Sequence, residues 1–162
     1  MNENRNALED KVAVITGGAR RIGASIAHTL HHEGMKLVIH YHESADAARE
    51  LQAELHHHRS DSVLLVGTDL LDPAKLEKLV SQATTEFGQL DVLVNNASSF
   101  FPTPVGQTTD KQWEELIGVN LKAPYFLSQA AAEALKESTG CIINLVDIYA
   151  ERPLKNHPVY NV

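Results

Sequence analysis

Cysteine, aromatic residues and positive charge are all scarce in this sequence of 162 residues. Cys141 is the only cysteine, which excludes an intrachain disulfide and a cysteine-rich zinc site. Lys and Arg number 14 against 21 Asp and Glu, so the formal net charge is −7. The field of so acidic a chain repels nucleic-acid backbones and anionic membranes. We therefore expect neither as a partner, and any anionic ligand must be held by a local site.

Long apolar segments are absent as well. No run approaches the roughly 18 apolar residues of a membrane span, and the N-terminal stretch 1–10 is a polar tail without the apolar core of a signal peptide. The expected location is the cytoplasm. Histidine tracts at 31–32 and 56–58 suggest metal binding at first sight. Consecutive helical residues point to different faces, however, so we expect no metal site.

Short apolar runs alternate with helical patterns along the remaining chain. They predict strands at 11–16, 36–40, 63–66, 91–94 and 141–146. Helices are predicted from 22 to the stop at Gly34, from 44 to 57, from Pro73 to Gly88, and from 110 to 136 with a kink at Pro124. This alternation predicts an α/β fold with a doubly wound, Rossmann-type parallel sheet, truncated after the fifth strand. In such sheets the ligand lies at the carboxyl ends of the strands.

The turn after the first strand, 16–23, reads TGGARRIG. Its small residues would let the backbone approach a pyrophosphate, and the following helix N-terminus offers free N–H groups. A plain strand-to-helix turn is the alternative, which the position at the first strand–helix junction disfavours. Arg20 and Arg21 are either phosphate-binding cations or solvated surface side chains.

Several segments resemble the short-chain dehydrogenase/reductase family, and within it the pteridine reductases. The turn is similar to that family's Thr-Gly-x-x-x-Gly-x-Gly signature, with Arg21 at the middle glycine as in pteridine reductases. The run 91–104, DVLVNNASSFFPTP, is the most diagnostic, with Ser98 where the wider family has glycine. Asp147 stands at the usual catalytic serine, again as in pteridine reductases, and Tyr160 at the spacing of the catalytic tyrosine. The resemblance covers 11–162, which it implies is one NAD(P)-binding domain.

The resemblance implies a set of site residues. The catalytic residues would be Asp147, Tyr160 and Asn120. The cofactor would be bound by Thr16, Gly17, Arg20, Arg21, Ile22, Gly23, Tyr41, His42, Ser44, Asp69, Leu70, Asn96, Ala97 and Ser98. The substrate would contact Arg21, Ser98, Phe100, Asp147 and Tyr160, with Phe100 stacking on a flat pterin. Three of these residues also have a purely structural interpretation. Phe100 would then lie in the core, Asp147 would cap a loop, and Asp69 would be a surface residue ahead of a helix.

Charge favours NADPH over NADH as the cofactor. An acid after the second strand would select NAD by binding the ribose hydroxyls, whereas this chain has Tyr41 followed by His42. Arg20 adds a cation in the preceding turn. Glu43 opposes this reading, because its carboxylate would repel a 2′-phosphate if it pointed inward.

The function expected from the resemblance is NADPH-dependent reduction of pterin or dihydrofolate substrates in a homo-oligomer. A general carbonyl-reducing enzyme and a non-catalytic nucleotide-binding or dimerising module are the alternatives. The family places a lysine four residues after the tyrosine, at 164, whereas the sequence stops at Val162. We expect a fragment of a longer enzyme, inactive by itself because the Tyr160 phenolate would lack a cationic neighbour.

Overall fold

The computed structural model describes residues 7–162. The first six residues of the predicted polar tail lie outside this range. The strands are β1 (Val12–Ile15), β2 (Lys36–Tyr41), β3 (Val63–Gly67), β4 (Val92–Asn95) and β5 (Cys141–Asn144). The helices are α1 (Arg21–His32), α2 (Ala45–His58), α3 (Pro73–Phe87), α4 (Asp110–Ile117) and α5 (Ala123–Ser138).

The five strands form one parallel sheet in the order β3-β2-β1-β4-β5. The chain leaves β1 for β2 on one side and later returns to place β4 on the other side. The strand order therefore reverses between β1 and β4, which is where a doubly wound sheet forms its ligand crevice. The predicted Rossmann-type fold is confirmed.

Helices cover both faces of the sheet. Alternate residues of β1 point to opposite faces: Val12 and Val14 pack with α3 and α5, whereas Ala13 and Ile15 pack with α1 and α2. Both clusters are apolar and largely inaccessible to solvent. The central strands thus read as continuous apolar runs because neither of their faces meets water.

Several helix boundaries follow from local chemistry that the sequence indicates. Asp72 accepts a hydrogen bond from the Ala74 N–H at the start of α3, and Gly88 ends that helix at φ +79. A capping box begins α4, since Thr109 and Gln112 bond each other reciprocally.

The last predicted helix, 110–136, is present and extends to Ser138. It contains a π-helical turn, Gly118–Lys122, between α4 and α5, which the sequence did not indicate. Proline has no N–H to donate to the carbonyl four residues earlier, and the wider turn directly before it accommodates that missing bond. Pro124 then occupies the first turn of α5, where proline is tolerated.

The fifth strand also departs from the prediction. It ends at Asn144 rather than Val146, and Cys141 at its start is exposed. Only β4 pairs with β5 among the described residues, so β5 is an edge strand. Within residues 7–162 no helix is both long and apolar enough to cross a membrane.

Candidate functional site

A cleft of about 770 Å³ opens beyond the carboxyl ends of the strands. The sequence-predicted residues that line it are Gly17, Arg20, Arg21, Ile22, Gly23, Tyr41, His42, Ser44, Asp69, Leu70, Asn96, Ala97, Ser98, Phe100, Asp147 and Tyr160. Thr16 and Asn120 are the two predicted residues outside this lining. The tertiary structure therefore brings together side chains separated by up to 143 positions in the sequence.

The glycines of the first turn occupy places where a side chain does not fit. Gly17 has φ +60, and a Cβ there would lie 3.0 Å from the Cα of Ala97. A Cβ on Gly23 would overlap the Gly17 carbonyl oxygen and lie 2.6 Å from the Asn96 side-chain nitrogen. The turn is consequently a bare backbone surface at the N-terminus of α1, as close approach by an anion requires.

Asn96 and Thr16 attach this turn to the loop after β4. The Asn96 side-chain amide donates to the carbonyls of Thr16 (2.8 Å) and Gly17 (3.1 Å). The Thr16 hydroxyl accepts from the backbone N–H groups of Asn96 (2.9 Å) and Ala97 (3.0 Å). Thr16 is buried, so its place is behind the cleft, where it supports the turn rather than facing a ligand.

His40 holds the same turn from the other side. The Gly17 N–H donates to His40 Nδ1 (3.1 Å), and the Gly18 N–H donates to the His40 carbonyl (2.9 Å). Because Nδ1 accepts, the ring proton is on Nε2, which donates to the Thr68 carbonyl (3.0 Å). Burial lowers the pKa of His40, with the Thr68 bond opposing that shift. The imidazole is therefore neutral near pH 7.

Arg21 adopts an unusual backbone conformation at φ +51. This is the left-handed region that glycine adopts readily and that costs a residue with a Cβ roughly 1–2 kcal/mol. Arg20 and Arg21 are both exposed at the cleft. The backbone thus keeps a conformation that favours glycine while the position carries a guanidinium.

The far end of the cleft is formed by the residues after β2 and β3. A Cβ on Gly67 would lie 2.8 Å from the ring of Tyr41, so the glycine leaves room for that ring. Ser44 is the N-cap of α2, yet its hydroxyl makes no capping hydrogen bond. Asp69 Oδ1 accepts from the Leu71 N–H (2.9 Å), which orders the loop leading to α3.

Tyr160 and Asp147 meet at the opposite end. The Tyr160 hydroxyl donates to Asp147 Oδ2 (3.2 Å), while Asp147 Oδ1 accepts from the Tyr149 N–H (3.1 Å). Asp147 therefore caps a short 3₁₀ turn and contacts the tyrosine at the same time. Burial and the Asp147 carboxylate raise the pKa of Tyr160, and a hydrogen bond with Ser98 opposes them. Tyr160 is thus a protonated phenol near pH 7.

Phe100 is 51% exposed and lies in an aromatic group rather than in the core. Its ring is nearly parallel to His157, with centroids 4.8 Å apart, and meets Tyr160 edge-on at the same separation. Tyr149 is parallel to Phe100 at 6.4 Å. These contacts orient the Phe100 ring at the end of the cleft that holds Tyr160.

Asn120 lies in the π-helical turn between α4 and α5. Its side chain accepts from the Ser99 N–H (3.0 Å) and donates to the Ser99 carbonyl (2.9 Å). Both polar atoms of the amide are thereby committed to the loop that carries Ser98 and Phe100. Asn120 positions this loop and does not itself line the cleft.

Comparison with known proteins agrees with this geometry. A family model described as short chain dehydrogenase matches residues 11–162. The chain belongs to the short-chain dehydrogenase family.

Three relatives indicate how close the similarity is. Pteridine reductase 1 of Leishmania tarentolae is 34% identical over 189 aligned positions, which include 93% of this chain and 65% of the relative. An uncharacterized oxidoreductase of Staphylococcus aureus is 32% identical over 155 positions, 95% of this chain and 65% of the relative. One of Thermotoga maritima is 39% identical over 145 positions, 88% of this chain and 56% of the relative. The chain thus spans 65% or less of these relatives' length.

The cleft is also lined by eight residues that the sequence analysis did not assign to the site, namely Ala19, His40, Glu43, Ser99, Val119, Leu145, Val146 and Tyr149. His40 had a detectable signal, because a histidine near the end of an apolar parallel strand lies at the ligand edge of the sheet. No sequence signal indicated Val119, since its position at the cleft depends on how the π-helical turn packs. No group of three or more His, Cys, Asp or Glu within residues 7–162 is arranged to hold a metal ion.

Proposed function

We propose that the protein is an NADPH-dependent reductase of pterin or dihydrofolate-type substrates. Family membership supports an oxidoreductase that uses a nicotinamide cofactor. The observation that carries the narrower proposal is the Tyr160–Asp147 hydrogen bond beside the exposed Phe100 ring, at one end of a cleft whose other parts suit a dinucleotide.

The turn at 16–23 fits the pyrophosphate of such a cofactor. Side chains are absent at Gly17 and Gly23 where an added Cβ would meet neighbouring backbone. The N-terminus of α1 directs its free N–H groups at the same place, and Arg20 and Arg21 add two cations. This local site would offset the repulsion expected from the chain's net negative charge.

The far end of the cleft supports a preference for the 2′-phosphate of NADPH. His42 lines it, and the preceding position carries the Tyr41 phenol rather than a carboxylate. The hydroxyl of Ser44, unused in capping, lies at the N-terminus of α2, where anions are favoured. Glu43 lines the same end and would weaken the preference if its carboxylate faced the phosphate.

The substrate end has the groups that proton delivery requires. The bound cofactor would supply a hydride to a ring carbon, and the adjacent ring nitrogen must then gain a proton. Tyr160 holds a proton near pH 7 and can donate it, while Asp147 orients the phenol. Phe100 can stack on the flat ring, and Arg21 and Ser98 can hydrogen-bond its polar edge.

The decisive experiment measures oxidation of NADPH and NADH with three acceptors: dihydrobiopterin, dihydrofolate and a simple aromatic aldehyde. The proposal predicts pterin- or folate-dependent oxidation of NADPH, lost in Tyr160→Phe and reduced in Asp147→Asn. Tyr125→Phe is the matched control, because Tyr125 is an exposed tyrosine of α5 outside the cleft. Turnover of the aldehyde alone would support the general carbonyl reductase. Cofactor binding without any turnover, by a protein that also carries the lysine expected four positions after Tyr160, would support the non-catalytic module.

We further propose that the protein is a homo-oligomer. Large apolar side chains are exposed on α4, the π-helical turn and α5, namely Trp113, Leu121, Tyr125 and Phe126. The rings of Tyr125 and Phe126 are in contact, with centroids 5.3 Å apart, and contiguous exposed apolar groups of this kind mark a protein contact. Light scattering coupled to size exclusion would report the oligomeric state, and Phe126→Glu should shift it toward the monomer.

A further inference from the structure

We propose that His40 is a positioning residue for dinucleotide binding, acting through its contact with the glycine turn. The inference deepens the proposed function, because it takes the ligand of the turn to be NADPH or NADH. His40 would not touch the ligand's reacting atoms. It would hold the Thr16–Gly17 peptide in a fixed orientation beside the place where the pyrophosphate would bind.

The hydrogen bonds of His40 link three segments of the cleft. Its Nδ1 and its carbonyl accept from successive N–H groups of the turn, at Gly17 and Gly18. Its Nε2–H donates to the Thr68 carbonyl, just beyond β3. The side chain is 2% exposed, so water does not replace these bonds. A neutral imidazole accepts on one edge and donates on the other, as these two contacts require.

The turn needs this support because Gly17 is intrinsically unconstrained. Its φ is +60, and a glycine moves between backbone regions with little resistance. Asn96 fixes its carbonyl from the β4 side, and His40 fixes its N–H from the β2 side. The Gly17 N–H shares its peptide plane with the Thr16 carbonyl, to which Asn96 also donates. With both contacts present this plane is held at its two ends and has one orientation. Losing the His40 contact would leave the plane held by Asn96 alone, and a dinucleotide would have to order it on binding.

Two substitutions each preserve one of the two hydrogen bonds of the His40 side chain and remove the other. His40→Asn places an acceptor at the same bond distance from the backbone as Nδ1, so it keeps the bond from Gly17 and loses the one to Thr68. His40→Gln places its amide nitrogen near the position of Nε2, so it keeps the Thr68 bond and loses the Gly17 acceptor. The proposal requires that the side chain at position 40 accept a hydrogen bond from the Gly17 N–H.

The test is the dissociation constant for NADPH, and separately for NADH, by quenching of protein fluorescence, alongside the thermal midpoint of each variant. We expect His40→Asn to bind within about threefold of the unmodified protein and His40→Gln about tenfold more weakly, the scale of one buried hydrogen bond. His31→Asn is the control. His31 is also buried and bonded to a side chain, Ser62, but does not line the cleft. It should lower the thermal midpoint and leave affinity unchanged.

The outcomes are distinguishable. If the unmodified protein binds neither dinucleotide, the proposed function fails. A second case is that the unmodified protein binds a dinucleotide, but His40→Gln binds it as well as His40→Asn or better. That result would overturn the role of His40 and leave the proposed function standing. If neither variant folds, nitrogen-15 NMR of the unmodified protein decides. We then expect His40 to carry its proton on Nε2, and its Nδ1 signal to shift on saturation with NADPH while that of His31 does not. An Nδ1-protonated or unresponsive His40 would overturn the proposal.

Discussion

The substitution Gly23→Ala tests the geometry of the glycine turn most directly. Gly23 lies in the first turn of α1, and a Cβ there would overlap the Gly17 carbonyl oxygen. It would also approach the Asn96 side-chain nitrogen to 2.6 Å and the Gly18 Cα to 2.9 Å. Two of these three neighbours are backbone atoms, which cannot rotate away as the end of a flexible side chain would.

The expected loss of stability follows from three contributions. Overpacking by one methyl group in a tight site costs about 1–3 kcal/mol. Displacing Asn96 would weaken its hydrogen bonds to the Thr16 and Gly17 carbonyls, each with a net value of about 1 kcal/mol. Alanine returns up to about 1 kcal/mol through its higher helix propensity. The free energy of unfolding should therefore fall by about 2–4 kcal/mol.

Urea unfolding would measure this loss, and NADPH titration would measure the accompanying loss of affinity. Ser25→Ala is the matched control, because Ser25 lies exposed on the same helix and should change stability by no more than about 0.5 kcal/mol. A Gly23→Ala protein as stable as the control, with unchanged NADPH affinity, would refute the described packing. Normal stability with lost binding would show instead that the glycine serves only the approach of the ligand.

Three other predictions concern the cleft and the core. Glu43→Arg should increase the ratio of NADPH to NADH efficiency if the carboxylate faces the 2′-phosphate, and an unchanged ratio in steady-state kinetics would show that it points away. Phe100→Ala should weaken binding of a pterin substrate by about 1–3 kcal/mol and barely alter NADPH affinity; equal losses for both ligands would mean that the ring only supports packing. Burial, followed by the charges of Arg59, His58, His56 and His28, lowers the pKa of His31 to about 4, against 6.5 when unfolded. On acidification the unfolded state therefore binds a proton at His31 before the folded state does. The free energy of unfolding should consequently fall by about 2–3 kcal/mol between pH 6.5 and 4. Urea unfolding of the His31→Gln variant should not show this part of the pH dependence.

The fold was predictable because each element carries its own local signal. Buried parallel strands must be apolar on both faces, and Val12–Ile15 satisfies this requirement in the sequence. The boundaries of α3 follow from a capping aspartate before proline and a glycine at the end. The π-helical turn at 118–122 was not predictable, because the sequence signals only that Pro124 disturbs the helix and not which turn widens.

The candidate site was predictable where residues follow a strand or match a family motif. The gathering of the glycine turn, Tyr41, Asn96 and Asp147 into one cleft agrees with the rule that ligands lie at the carboxyl ends of parallel strands. The sequence could not show which of the predicted site residues line the cleft and which support it from behind. Thr16 and Asn120 make hydrogen bonds to backbone groups behind the cleft, and only their three-dimensional neighbours show that they support it rather than line it.

The sequence alone determined the parallel α/β architecture, the glycine turn and the family, because these depend on local periodicity and on motifs contiguous in the chain. Tertiary structure alone decided which polar groups meet across the cleft. His40 faces Gly17, and Tyr160 reaches Asp147, because strand register and loop packing place them there. Hydrogen bonds form within about 3 Å, so residues 23 or 13 positions apart can be paired only once the intervening chain has been folded.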